Sequence, residues 1–229
     1  MTPDAAAWDA LRLSLLVACW ATLLSIPLAL TTAWILARRD FPGKTLLSAL
    51  VHLPLVLPPV VTGFLLLSAF GRNAPIGRAL ESLGLGVAFH WTGAVLAAII
   101  MGFPLMVRAM RLAIEAVDPG LEEAAATLGA GRIAVFMRVT LPLTFPGILA
   151  GSVMGFAKAM GEFGATITFV ANIPGQTQTL PSAIWAALQI PGGETQATIM
   201  VLMACVVAIS AVFVSELLAR RVAARIAGT

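Results

Sequence analysis

From Leu13 to Ala37 the chain carries no charged side chain, and the run closes abruptly on Arg38, Arg39 and Asp40. A stretch of this kind meets the roughly 20 residues that a helix needs to cross about 30 Å of hydrocarbon. Further apolar runs cover about Leu46 to Phe70, about Thr92 to Val107, a stretch from near Phe145 through Val170, and about Ala197 to Leu218. They are continuously apolar instead of alternating at every second residue over about ten, which argues against a transmembrane β-barrel. With 59% hydrophobic and 11% charged residues in 229, there are too few polar groups to cover a water-facing surface. The expected fold is an all-α integral membrane bundle of about five transmembrane helices, forming one domain over residues 1–229.

The breaks between runs carry the topology. Arg38, Arg39 and Lys44, then Arg108, Arg111, Arg132 and Arg138, then Arg220, Arg221 and Arg225 fall on one side if there are five spans. The excess of Lys and Arg on cytoplasmic loops places that side inside, the amino end outside and the carboxyl end inside. Arg72 and Arg78 are exceptions on the opposite side. The first ten residues, MTPDAAAWDA, carry two acids and no basic residue and do not read as a cleaved leader, so the first run is expected to be retained. The loop from Ala171 to Gln196 has no Lys or Arg, and its apolar TLPSAIWAALQI is too short to cross, so it reads as re-entrant or interfacial. The net charge of +3 comes without a basic helix or aromatic platforms, so no nucleic-acid partner is expected.

One charged island interrupts the apolar pattern, within a cytoplasmic loop of about 112–144. Its sequence from Asp118 to Pro142 is DPGLEEAAATLGAGRIAVFMRVTLP. Asp118 as N-cap and Pro119 at the first helical position start a helix, with Glu122 and Glu123 near its positive end. Leu121, Ala125 and Leu128 share a face, and Gly129 or Gly131 can close the helix. A second short segment, Arg132 to Val139, is expected to end before Pro142. The alanines leave little bulk, so the first helix can sit deep in a groove of another protein.

The island resembles the cytoplasmic coupling motif of the permease subunits of ABC importers: Glu123-Ala124-Ala125, three residues, Gly129, nine residues, Val139, one residue, Leu141-Pro142. Further likeness lies in FPGK at Phe41 to Lys44, HLPLVLPPVV at His52 to Val61, FPLMVRA at Phe103 to Ala109, TLGAGR at Thr127 to Arg132, and GEFGATITFVANIPGQTQTLPSAIW at Gly161 to Trp185. Together these resemble molybdate permeases, with sulfate and tungstate permeases as relatives. The resemblance implies a type I importer permease bundle in a bacterial inner membrane, acting as a homodimer. Each copy would grip one of two ABC ATPase subunits, and a periplasmic binding protein would deliver the oxyanion. Glu123, Ala124, Ala125, Gly129, Val139, Leu141 and Pro142 would carry the coupling to the ATPase. ATP and Mg would be bound by that partner, with no cofactor in this chain. The chain has no Gly-rich loop ending in Lys and Ser or Thr to cradle phosphate, and no catalytic residue is expected in it.

Other marked residues have two readings each. Lys158 and Glu162 lie four apart at membrane depth, where an ionisable residue is a functional candidate by default. The plainer reading is a mutually neutralising pair, or Glu162 near the outer boundary capping a loop; the sharper one is that Lys158 tempers the field along the path of a dianion while Glu162 orders an outer gate. Pro54, Pro58 and Pro59 remove backbone donors from the second run, so it must bend or unwind, either as a kink or as lining of the path. Thr166 and Thr168 read as packing hydroxyls, and His52 and His90 as interfacial. Cys19 and Cys205 read as core residues with no metal or disulfide role. The functional alternatives to a molybdate permease are a permease for sulfate or another oxyanion, a non-transporting membrane scaffold, and an intramembrane enzyme using Lys158 and Glu162.

Overall fold

A computed structural model describes residues 4–226, with the side chains of 219, 220 and 222–226 outside the description. Arg220 and Arg225 of the basic tally fall among these. The described residues form helices and no strand.

Helix α1 (Ala5–Arg38) is capped by Asp4, whose Oδ1 accepts from Ala7 N at 2.8 Å, and it keeps Pro27 in its interior. At 34 residues its axis is about 50 Å long, more than the hydrocarbon thickness. The first apolar run thus extends two turns beyond its expected start. After the turn Phe41–Gly43, the run expected as one span divides into α2 (Lys44–Val56) and α3 (Pro59–Phe70), bent by 112°. The prolines account for the break. Pro58 forbids helical backbone at Leu57, which is extended (ψ 140°), and Pro59 does the same to Pro58 (ψ 134°). Pro54 stays inside α2 without breaking it. Among the described residues four helical runs, Ala5–Arg38, Trp91–Glu115, Arg132–Met160 and Glu194–Leu218, are long and apolar enough to cross a membrane, and the bent pair makes five if it counts as one span.

The Gly-rich loop that follows contains a short helix, α4 (Pro75–Ser82), with Arg72 and Glu81 paired at 3.3 Å. Helix α5 (Trp91–Glu115) runs through the middle of the bundle. Its buried side includes Gly93, Ala94, Ala97, Ala98 and Gly102, and α1 offers Ala18, Ala21, Ala29 and Ala33. Small residues let membrane helices approach closely, which substitutes for a hydrophobic driving force in lipid.

The island supplies α6 (Pro119–Thr127) and the single turn α7 (Arg132–Val135). Contrary to expectation, the segment from Arg132 does not stop before Pro142. Five residues, Phe136–Thr140, wind as a π-helix and lead directly into α8 (Leu141–Met160). Leu141 N bonds to Phe136 O, five residues back, and this wider register accommodates the donor that Pro142 lacks. The fourth run does end earlier than its apolar pattern. A turn at Gly161–Phe163 separates α8 from α9 (Gly164–Val170).

The short segment expected to be re-entrant or interfacial is α10 (Leu180–Leu188), which packs against α1 and α11 (Glu194–Ile226). Leu180 N donates to Ser14 Oγ at 2.7 Å and Gln196 donates to Asp4. The start of α1 and the 171–196 loop therefore lie at one end of the bundle. Arg38 and the island lie at the other. Cys19 and Cys205 are free and exposed, which corrects their assignment to the core. In a membrane bundle the outer surface is itself apolar, so hydrophobic character does not distinguish the lipid face from the core.

Candidate functional site

The island is a folded unit built from local signals. Asp118 Oδ1 accepts from Gly120 N at 2.8 Å and Pro119 opens α6, as the spacing predicts. At the other end, Gly129 adopts φ +89°. Its N–H donates to Ala126 O (3.0 Å) and that of Ala130 to Ala125 O (3.2 Å), the paired bonds of a Schellman closure. Glu123, Ala124, Ala125 and Gly129 thus sit on one short element. Val139, Leu141 and Pro142 belong to the π turn and the head of α8, a separate element.

The two adjacent acids of α6 face different surroundings. Glu122 points inward. Its Oε1 accepts from Thr140 Oγ1 (2.6 Å) and from Arg38 Nη2 (3.3 Å), and its Oε2 lies 3.3 Å from Arg38 Nε. Arg38 also donates to Val117 O at 3.0 Å. Glu122 therefore ties α6 both to the end of α1 and to the π turn. These partners are mostly buried, so the charge-assisted bonds are only weakly screened. Glu123 is exposed and has no hydrogen bond or ion pair among the described residues. It lines a cleft with Trp34, Arg38, Arg39 and Arg132, while elsewhere on the island Leu121 (50% exposed), Leu128 (89%), Ile133 (81%) and Met137 (54%) project outward. An exposed apolar surface of this kind is a candidate docking face. Arg38, Glu122 and Thr140 were not marked in the sequence as a set. Their types are unremarkable singly, and Arg38 and Glu122 are 84 positions apart.

The second candidate region lies where α3 meets α9. Glu162 is 3% exposed. Its Oε1 accepts from Ala165 N at 2.9 Å, capping the first turn of α9, and its Oε2 lies 3.0 Å from Lys158 Nζ. Both parts of the plainer reading, a capped loop and a neutralised pair, are thus present in the geometry. The Pro58-Pro59 break adjoins the same place, because a Cβ built on Gly164 would stand 2.7 Å from Pro59 Cβ. Pro54, within α2, is not part of that contact. Thr62, Thr166 and Glu162 are buried polar residues here, and the Thr62 hydroxyl has no hydrogen-bond partner among the described residues. Thr168 bonds back to Gly164 O at 2.9 Å.

The remaining marked residues are placed simply. His90 caps α5, its Nδ1 accepting from Thr92 N at 3.4 Å, and His52 Nδ1 lies 2.7 Å from Ser48 O one turn back. Outside the spans, Lys44 bonds Asp40 at 2.9 Å, and that bond together with the lysine charge holds the Asp40 carboxyl below the ordinary carboxylate range. Among the described residues no three His, Cys, Asp or Glu side chains are grouped to hold a metal ion.

Comparison with known proteins adds three findings. Residues 25–227 match the family model described as binding-protein-dependent transport system inner membrane component. The molybdenum transport system permease protein ModB of Escherichia coli (strain K12) is 55% identical over 214 residues, 93% of each chain, and that of Haemophilus influenzae is 52% identical over the same shares. A solved bacterial ABC transporter involved in the import of the acidic polysaccharide alginate superposes with a TM-score of 0.77 at 19% identity. The match covers 95% of this chain and 80% of that one.

Proposed function

The chain belongs to the binding-protein-dependent transport system inner membrane component family, and from that premise we propose that it is the permease subunit of an ATP-driven importer carrying molybdate, and also tungstate, across the bacterial inner membrane. The observation that carries the mechanism is the contrast between the two acids of α6. Glu122 locks the helix to α1 and the π turn, so a force applied to α6 moves the spans. Glu123 and the exposed Leu121 and Leu128 remain outward for a partner.

In this reading two copies of the chain form the pathway. Each docks one ABC ATPase subunit through Glu123, Ala124, Ala125 and Gly129, with Val139, Leu141 and Pro142 transmitting the movement into α8. ATP and Mg reside in the ATPases. Their closure pushes α6, and rigid packed helices pass between two arrangements, inward-open and outward-open. The end bearing Arg38 and α6 faces the cytoplasm, and the end bearing Asp4 and the 171–196 loop faces a periplasmic binding protein that delivers the oxyanion. The match to molybdenum permeases over nearly the whole chain favours molybdate over sulfate. Proteoliposomes containing the whole assembly and its binding protein should accumulate labelled molybdate and tungstate on ATP addition. Accumulation of sulfate alone would overturn the substrate, and accumulation of none would overturn the transport reading.

Lys158 and Glu162, with the Pro58-Pro59 break beside them and Pro54 one turn earlier, are proposed to line the outer part of the path. Glu162→Gln separates capping from charge, because the amide oxygen can still accept from Ala165 N while Lys158 loses its counter-ion. Uptake is expected to fall about tenfold, equivalent to ~1.4 kcal/mol on the rate-limiting barrier, with the helix content unchanged. Unaltered uptake together with unaltered ATPase activity would reduce the pair to a structural cap.

A further inference from the structure

Beside the docking helix, on the outer side of α1, runs a groove of about 480 Å³ lined by Pro27, Leu30, Thr31, Trp34, Ile133 and Phe136, and closed at one end by Arg39 and Arg132. We propose that this groove holds one anionic phospholipid, its headgroup phosphate on the two guanidiniums and its upper acyl chain along α1.

The chemistry of the lining is divided along its length. Pro27, Leu30, Thr31 and Trp34 fall at positions i, i+3, i+4 and i+7, so they form a single stripe on α1. Pro27 stands 11 positions before Arg38, roughly 16 Å along the helix axis and well inside the hydrocarbon. A soluble subunit cannot reach that depth, whereas an acyl chain occupies it. At the charged end, neither Arg39 nor Arg132 has a carboxylate partner among the described residues. Trp34 is at the boundary, where indole rings favour the headgroup level. Its face holds the Arg39 guanidinium at 5.2 Å, and Phe136 meets it edge-on with centroids 6.2 Å apart. The aromatic pair thus fixes one cation over an apolar slot. Basic pockets between membrane helices take up anionic headgroups in this way, and the volume lies in the range of about 300–1,000 Å³ of ligand pockets. The inference rests on the membrane location of the chain and not on the identity of the transported ion.

Native mass spectrometry of the intact permease–ATPase assembly, titrated with phosphatidylglycerol or phosphatidylcholine in neutral detergent, tests it. The wild-type assembly should retain one phosphatidylglycerol per permease chain and no phosphatidylcholine. Arg39→Gln/Arg132→Gln should weaken retention about tenfold or more, since both cations that hold the headgroup are removed. Arg108→Gln/Arg138→Gln removes the same charge from the same end and should leave retention intact. Thr31→Trp, which fills the slot and keeps both guanidiniums, should also abolish it. Equal retention of both lipids, loss in the Arg108/Arg138 control, or full retention in either groove variant would each overturn the site. Absence of bound phosphatidylglycerol from the wild-type assembly would do the same.

Discussion

Glu123→Lys is expected to release the ATPase without unfolding the permease. Co-purification should fall by at least about a hundredfold, or ~2.7 kcal/mol, and ATP-driven uptake should disappear with it. The thermal midpoint of the detergent-solubilised chain should stay within about a degree, because an exposed acid without partners contributes little to stability. The adjacent acid gives the opposite pattern. Glu122→Ala strands the mostly buried Arg38 guanidinium and the Thr140 hydroxyl, which costs about 1–3 kcal/mol, and should lower the midpoint while Glu123 remains able to dock. Gly129→Val belongs with Glu123→Lys. There is open space around that Cα, but φ +89° is a conformation that a β-branched residue resists. The Schellman closure would rearrange, and the tip of α6 with it. Retention of the ATPase by both Glu123→Lys and Gly129→Val would show that α6 is not the docking element.

Local chemistry explains why α6 was legible before any coordinates. A cap, a proline and a left-handed glycine act within one turn, and each residue type favours a single conformation there. The tie that makes α6 useful was not legible, because Arg38 and Glu122 meet only once α1 and α5 have packed side by side. The same division holds elsewhere. Pro58 and Pro59 announce a break in the second apolar run, yet nothing in them specifies a bend of 112°, which is set by where α3 finds α9. Pro142 misled for a related reason. A proline removes a donor from a four-residue register and reads as a stop, but a five-residue register also accommodates it, and the last residue of that turn, Thr140, bonds to Glu122 across 18 positions of chain.

Burial was the property least readable from the pattern. In water, periodic apolar residues point to the core; in lipid, both faces of a span are apolar, and Cys19 and Cys205 accordingly lie on the outside. What distinguishes the faces is size. The buried sides of α1, α5 and α8 carry Ala and Gly, while Leu23, Leu24, Phe64, Leu65, Ile209 and Phe213 are exposed. Small residues mark where helices touch, although cysteine, itself small, is not placed by that criterion.

The same criterion yields a large stability effect where α3 meets α9, at Gly63. A Cβ there would lie 2.5 Å from Ala165 O, 2.9 Å from Ala165 Cα and 2.9 Å from Thr168 Cβ. Two of these are backbone atoms, so no side-chain rotation relieves the clash, and α3 and α9 must separate. Gly63→Ala should gain up to ~1 kcal/mol in helix propensity and still be destabilised by on the order of 3 kcal/mol, with Gly63→Leu failing to accumulate in the membrane. Gly102→Ala is the matched comparison. Its Cβ would stand 3.4 Å from Gly155 O, so the propensity gain should survive and the midpoint should hold or rise. Separation of α3 from α9 also moves the segment that Glu162 caps, so Gly63→Ala should lose uptake while still binding the ATPase through α6. Glu123→Lys loses the ATPase and keeps its stability; Gly63→Ala keeps the ATPase and loses stability. Melting curves with ATPase co-purification on the two variants therefore test whether docking and gating are mechanically separate regions, and a shared loss of both properties in either variant would show that they are not.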